Sequence, residues 1–177
     1  MRIIGGRLRG KAINPPTGYK ARPTTDFAKE GLFNTLTNEL DFEEISVLDL
    51  FGGTGSISCE FASRGCREIV CVEMSSANCT FISRTVTALG LKESVKVVHN
   101  NVFDFLGICS KQFDVVFADP PYALDNLAEI PDKVLSSGIL NDGGRFILEH
   151  PSDYSFTEHP RFTKEKKYGN VHFSYFL

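Results

Sequence analysis

The chain has 177 residues, 42% of them hydrophobic and 23% charged, and a formal net charge of −3. One ordinary domain of this size buries a real core, and the composition excludes disordered, collagen-like and low-complexity chains. No apolar run reaches the ~20 residues a membrane helix needs, and the opening MRIIGGRLRG holds too many charges and glycines for the apolar part of a signal peptide, so a soluble cytoplasmic chain without a membrane partner is expected.

Charge is unevenly spread. The first 30 residues carry Arg2, Arg7, Arg9, Lys11, Lys20, Arg22 and Lys29 against Asp26 and Glu30, a net +5 within a chain of −3, so the other residues sum to −8. A basic head on an acidic body points to a local polyanion contact, the alternative being a solvated arm. Within the head, Arg2–Ile4 and Lys11–Ile13 are short β-like pieces around the turn glycines Gly5, Gly6 and Gly10. A helix is expected from the capping side chains of Thr24–Asp26 to about Leu40, packing through Ala28, Leu32, Leu36 and Leu40.

From Ser46 onward strands and helices alternate. Val47–Phe51 reads as a strand, followed by a Gly-rich turn and a helix to about Arg64. Glu68–Glu73 is the second strand, with Ser75-Ser76 capping a helix that stops at Gly90. Val95–His99 and Phe113–Ala118 are the third and fourth, Leu124–Ser136 reads as a helix in spite of Pro131, and Arg145–Glu149 is the fifth strand. Arg161–Tyr168 and Val171–Phe176 flank Gly169-Asn170, a hairpin signal. This alternation predicts an α/β domain: a parallel sheet with helices on both faces and a ligand site beyond the carboxyl ends of the strands. The five cysteines (Cys59, Cys66, Cys71, Cys79, Cys109) are odd in number and form no C-x-x-C pair. They read as reduced, buried apolar residues rather than disulfides or a zinc site, and no metal is expected.

Four signals carry chemistry. Asp49-Leu50-Phe51-Gly52-Gly53-Thr54-Gly55 is a strand-to-helix turn whose glycines let the backbone approach a ligand. Ser58 stands where a dinucleotide fingerprint has its third glycine, and Asp49 inside the strand suits a cationic amine or sulfonium better than a pyrophosphate. Glu73, at the end of the second strand, can accept from ribose hydroxyls, the alternative being a strand end facing water. Asn101, after the third strand, can accept from an adenine amino group or simply cap the next helix. The most specific is Asp119-Pro120-Pro121-Tyr122, directly after Val115-Val116-Phe117-Ala118. Prolines fix the backbone there, so that a carboxylate and a Pro carbonyl can accept both hydrogens of a planar amino group, while Tyr122 stacks on its base.

These residues resemble the class I adenosylmethionine-dependent methyltransferases of the amino-methylating branch with a (D/N)-P-P-(Y/F/W) motif. Met1–Gly6 with Arg9-Gly10, then Arg22-Pro23-Thr24-Thr25-Asp26, then Leu32-Phe33-Asn34, are similar to the N-terminal signature of the RsmD-like 16S ribosomal RNA guanine-N2 methyltransferases. That resemblance implies a Rossmann-like fold: a seven-stranded, mostly parallel sheet with a C-terminal antiparallel hairpin and a small N-terminal β-hairpin/helix extension. It implies residues 1–24 as a basic RNA-facing extension and 25–177 as the methyltransferase domain. S-adenosylmethionine would be held by Asp49, Phe51, Gly53 and Gly55 at its methionine end, by Glu73 at the ribose, and by Asn101 with the Val102 backbone at the adenine. Many members carry Asp where this chain has Asn101; an amide oxygen still accepts. Asp119, Pro120 and Tyr122 would hold the guanine amino group, with Arg7, Arg9, Arg22 and Thr24 facing RNA. The implied partner is 16S ribosomal RNA or a small ribosomal subunit or its assembly intermediate, met by a monomer. The competing readings are a DNA adenine-N6 methyltransferase, which normally needs an added recognition domain, an NAD-dependent oxidoreductase and a non-catalytic RNA-binding module.

Overall fold

The computed structural model describes residues 1–19 and 22–177; Lys20, counted in the basic head, lies outside them. Seven strands form one sheet: β1 (Ser46–Leu50), β2 (Glu68–Glu73), β3 (Val95–His99), β4 (Phe113–Ala118), β5 (Leu140–His150), β6 (Phe162–Tyr168) and β7 (Val171–Phe176). Their order is β3-β2-β1-β4-β5-β7-β6. The first five pair in parallel, and β7 pairs antiparallel with both β5 and β6. Strand order reverses between β1 and β4, where ligands bind in such sheets.

Each expected strand is present, β5 being longer at its start than Arg145. The antiparallel ending follows from Gly169, whose φ of 63° lets a tight turn close β6 onto β7. Helices α1 (Asp26–Glu39), α2 (Ser56–Ser63) and α3 (Ser76–Ala88) cover one face, while α4 (Val102–Ile108) and α5 (Ile130–Ser136) cover the other. Thr25 caps α1 by accepting from the Ala28 N–H, and Ala28, Leu32 and Leu36 are buried as the stripe requires. The expected helix over Leu124–Ser136 is shorter than its pattern: Leu127–Glu129 is a 3-10 turn, and α5 starts at Ile130 with Pro131 in its first turn. Proline lacks the N–H that a helix interior needs but is at home in that turn. Among the described residues no helix is long and apolar enough to cross a membrane.

The N-terminal segment is packed onto the sheet-covering helices. Arg2 bridges Ala12, and Ile3 and Ile13 are fully buried in the same cluster as α1 and α2. Glu60 of α2 accepts from the Ile4 and Gly5 N–H groups at 2.9 and 2.8 Å. It also pairs with Arg64 at 3.1 Å and with Lys29 of α1 at 3.6 Å. Lys29, wholly buried, donates to Arg2 O and Ser56 Oγ as well. This removes Lys29 from the basic surface that its place in the sequence implied.

Candidate active site

A cleft of about 560 Å³ opens at the carboxyl ends of the parallel strands, a volume ordinary for a small-molecule site. It brings together Asp49, Phe51, Gly53, Glu73, Asn101 and Val102 with Asp119, Pro120, Tyr122, Arg22 and Thr24. Gly55 lies just outside. It sits at φ 76° as the residue before α2, and a Cβ there would come within 2.9 Å of Ile82, so this glycine serves the packing of α2 on α3. Arg7 and Arg9 are exposed on a turn held to α2 by the Arg7 N–H donating to Ser63 O at 2.9 Å, and they do not line the cleft.

Asp49, on the central strand, is 2% exposed. Ser58 donates to its Oδ2 at 2.6 Å, and the Cys71 thiol lies 3.9 Å away. The serine in place of a third fingerprint glycine is thus the partner of the carboxylate. Burial pushes Asp49 up to about 7. Phe51 follows at φ 59°, the one non-glycine residue with positive φ among those described. Such strain persists where surrounding structure fixes it, often at ligand sites. Gly53, at φ 60°, donates its N–H to Glu73 Oε2 at 2.7 Å, and Ser75 N–H donates to Oε1 at 2.8 Å. Glu73 therefore clamps the glycine loop to the start of α3.

Asn101 is the N-cap of α4: its Oδ1 accepts from the Phe103 and Asp104 N–H groups at 2.9 and 3.3 Å. The capping alternative is realised, and the Asn101 side-chain carbonyl is occupied. Of the first-turn donors, the Val102 N–H is the one this cap does not take.

The D-P-P-Y segment leaves β4 at the switch point. Asp119 is pushed well above the usual carboxylate range, first by burial and then by the charges of Glu149 and Asp49. The Tyr122 hydroxyl donates to Glu149 Oε1 at 3.1 Å. Thr24 donates to Glu149 Oε2 at 2.7 Å, with Asp119 Oδ2 at 3.4 Å from the same hydroxyl. Glu149 escaped the sequence reading although it ends a predicted strand; a carboxylate at a strand's carboxyl end was the available signal. Tyr19 was missed too. Its buried hydroxyl has no hydrogen-bond partner among the described residues, and burial, then Glu73 and Asp119, push it up to about 12.

Cys59, Cys66 and Cys71 are buried and all five cysteines are free. One cluster of metal-ligand residue types occurs among the described residues, His150, Glu165 and His172. Its atoms already have partners: His172 meets Glu165 at 2.9 Å, His150 meets Ser174 at 2.7 Å, and the Lys167 ammonium stands 3.5 Å from Glu165.

A strand order of this kind, a glycine loop beside a buried carboxylate, and a D-P-P-Y segment across the cleft define the class: the protein is a methyltransferase of the Rossmann-like α/β type. The family model described as Conserved hypothetical protein 95 matches residues 1–177. The chain belongs to that family, the RsmD-like methyltransferases. It is 31% identical to ribosomal RNA small subunit methyltransferase D of Escherichia coli K12, over 84% of this chain and 74% of the relative. It is 25% identical to the protein of the same name from Buchnera aphidicola, over 100% of this chain and 91% of the relative. A solved structure of a hypothetical protein from Thermus thermophilus superposes with a TM-score of 0.85 at 31% identity, covering 99% of this chain and 98% of that one.

Proposed function

We propose that this chain transfers a methyl group from S-adenosylmethionine to the exocyclic N2 amino group of a guanine in small-subunit ribosomal RNA. The observation that carries the reading is that Asp119-Pro120-Pro121-Tyr122 shares one cleft with Asp49 and Glu73. The named activity of the E. coli and Buchnera relatives supports the RNA substrate.

The residues present fit the cofactor. Asp49 is a buried carboxylate with no cation beside it among the described residues, and a ligand's positive charge would relieve it. The orphaned Tyr19 hydroxyl faces the same space, and Gly53 keeps the cleft wall free of a side chain. Glu73 retains a lone pair on each oxygen for ribose hydroxyls, and the Val102 N–H is available to the adenine ring. When bound, the cofactor supplies an electrophilic methyl group on a sulfonium. Asp119 and the Pro120 carbonyl accept the two hydrogens of the amino group, holding the nitrogen lone pair toward that methyl and stabilising the positive charge that grows on nitrogen. The Tyr122 ring, its hydroxyl anchored on Glu149, stacks on an unstacked base. Residues 1–24, with Arg7, Arg9, Arg22 and Thr24, form the RNA-facing extension of a domain spanning 25–177.

Calorimetry tests the cofactor half. Glu73→Ala is expected to weaken S-adenosylmethionine binding roughly tenfold or more, since a charge-assisted bond is worth ~1.5–3 kcal/mol. A wild-type chain that binds neither the cofactor nor its demethylated product, or that binds NAD tightly, rejects the reading.

A further inference from the structure

β4 and β5 run parallel with Ala118 opposite Leu148, so the next residues, Asp119 and Glu149, emerge side by side at the cleft floor. Glu149 is 3% exposed. A structural strand end has no need of a second buried carboxylate beside the first; an apolar residue fills such a place more cheaply. Both Glu149 oxygens are nonetheless engaged, by Thr24 at 2.7 Å and Tyr122 at 3.1 Å, and Thr24 stands between the two acids with Asp119 Oδ2 3.4 Å away. We propose that Glu149 is a positioning residue of the methyl-transfer site, joined to Asp119 through the Thr24 hydroxyl, that takes up the proton released by the target amino group. The inference rests on the amino-methylation reading above.

Once methylated, the nitrogen carries a positive charge and one hydrogen too many. Its N–H bond breaks, the bonding pair stays on nitrogen, and the proton joins Asp119 Oδ2. Asp119 then gives that proton to Thr24 Oγ1 while Thr24 gives its own to Glu149 Oε2. One O–H bond is exchanged for another at each step; Asp119 is an anion again, and Glu149 is a neutral acid that loses its proton to water through the open cleft. The two acids titrate together. Burial raises both, the charges of Glu149 and Asp49 raise Asp119 further, and Thr24, Tyr122 and Arg22 limit the rise of Glu149. Asp49 from the end of β1 and the Tyr19 hydroxyl also face Asp119. On the β7 side Glu149 pairs with Phe173, which does not titrate.

The test compares Glu149→Gln, Thr24→Val, Thr24→Ser and Tyr122→Phe in steady-state methyl transfer across pH. Glu149→Gln is expected to lower kcat by about 100-fold, the low end of the range of a positioned proton acceptor, while cofactor affinity stays within about twofold. Its acid limb is expected to move to lower pH, because Asp119 has lost the neighbouring negative charge. Thr24→Val lowers kcat without that move, and Thr24→Ser recovers several-fold over Thr24→Val. An unmoved acid limb in Glu149→Gln, or the same profile in Tyr122→Phe, overturns the proposal, leaving Glu149 as an anchor for the Tyr122 ring. Carboxylate carbon NMR of the ligand-free chain reads the pair without any RNA. Asp119 titrating in the ordinary carboxylate range, or unmoved by Glu149→Gln, overturns the proposal by itself, whereas absent methyl transfer by the wild type rejects the functional reading.

Discussion

Burial pushes Asp49, which has no cationic partner among the described residues, up to about 7, against a usual 3.8. The folded chain therefore binds one proton more than the unfolded chain between about pH 4 and 7, so this residue's contribution turns destabilising as pH rises across that window. Asp49→Asn is expected to stabilise the ligand-free chain at pH 8, by on the order of 1–3 kcal/mol, and to do little at pH 4, while weakening cofactor binding. Urea unfolding at both pH values checks this, and equal destabilisation at both would contradict it. Asp119→Ala is expected to lower kcat much more than it weakens cofactor binding, and Tyr122→Ala to impair RNA engagement more than Tyr122→Phe; kcat and binding constants of each variant decide. Asp49, Glu73 and the D-P-P-Y segment were legible in the sequence as candidates because each lies within, at the end of, or directly after a strand that its own neighbours define. Glu149 was not, because its meaning comes from the β4–β5 register and from Thr24, which lies 125 residues away in the chain. Asn101 was legible as a pair of alternatives that only the start of α4 resolves into a cap.

The elements themselves followed from local pattern: short strand-forming runs bounded by turn residues, caps at Thr25 and Ser75, and Gly169 at the closing turn. What local pattern missed is how the N-terminal segment is attached. Lys29 and Glu60 come from different helices, and nothing in either neighbourhood announces a buried pair. Removing one partner of such a pair strands the other charge, at a cost of about 3–5 kcal/mol. Glu60→Ala is accordingly expected to lose about that much stability in urea unfolding and to expose residues 1–13, whose Ile4 and Gly5 N–H groups it satisfies, to protease. A variant as stable and as protease-resistant as the wild type would show that the segment is held by Ile3 and Ile13 alone.

Across the whole molecule, Arg22 is exposed at a cleft with acidic floor residues, and Arg7 and Arg9 are exposed outside its lining, on the turn held to the carboxyl end of α2. This arrangement suits a polyanion whose backbone meets the rim while one base enters. If Arg7 and Arg9 each neutralise a phosphate, the double alanine variant loses RNA affinity and its salt slope flattens by about 1.4, at about 0.7 per single-strand contact, with cofactor affinity unchanged; an unaltered slope would make the segment a solvated rim only. The choice of amino group is a matter for the whole assembly, since the D-P-P-Y geometry serves adenine N6 as well as guanine N2. The most direct measurement is mass spectrometry of nucleosides from small-subunit ribosomal RNA after incubation with this protein and S-adenosylmethionine. N2-methylguanosine, absent with Asp119→Ala, is the expected result; N6-methyladenine in DNA with no product in ribosomal RNA would contradict the account.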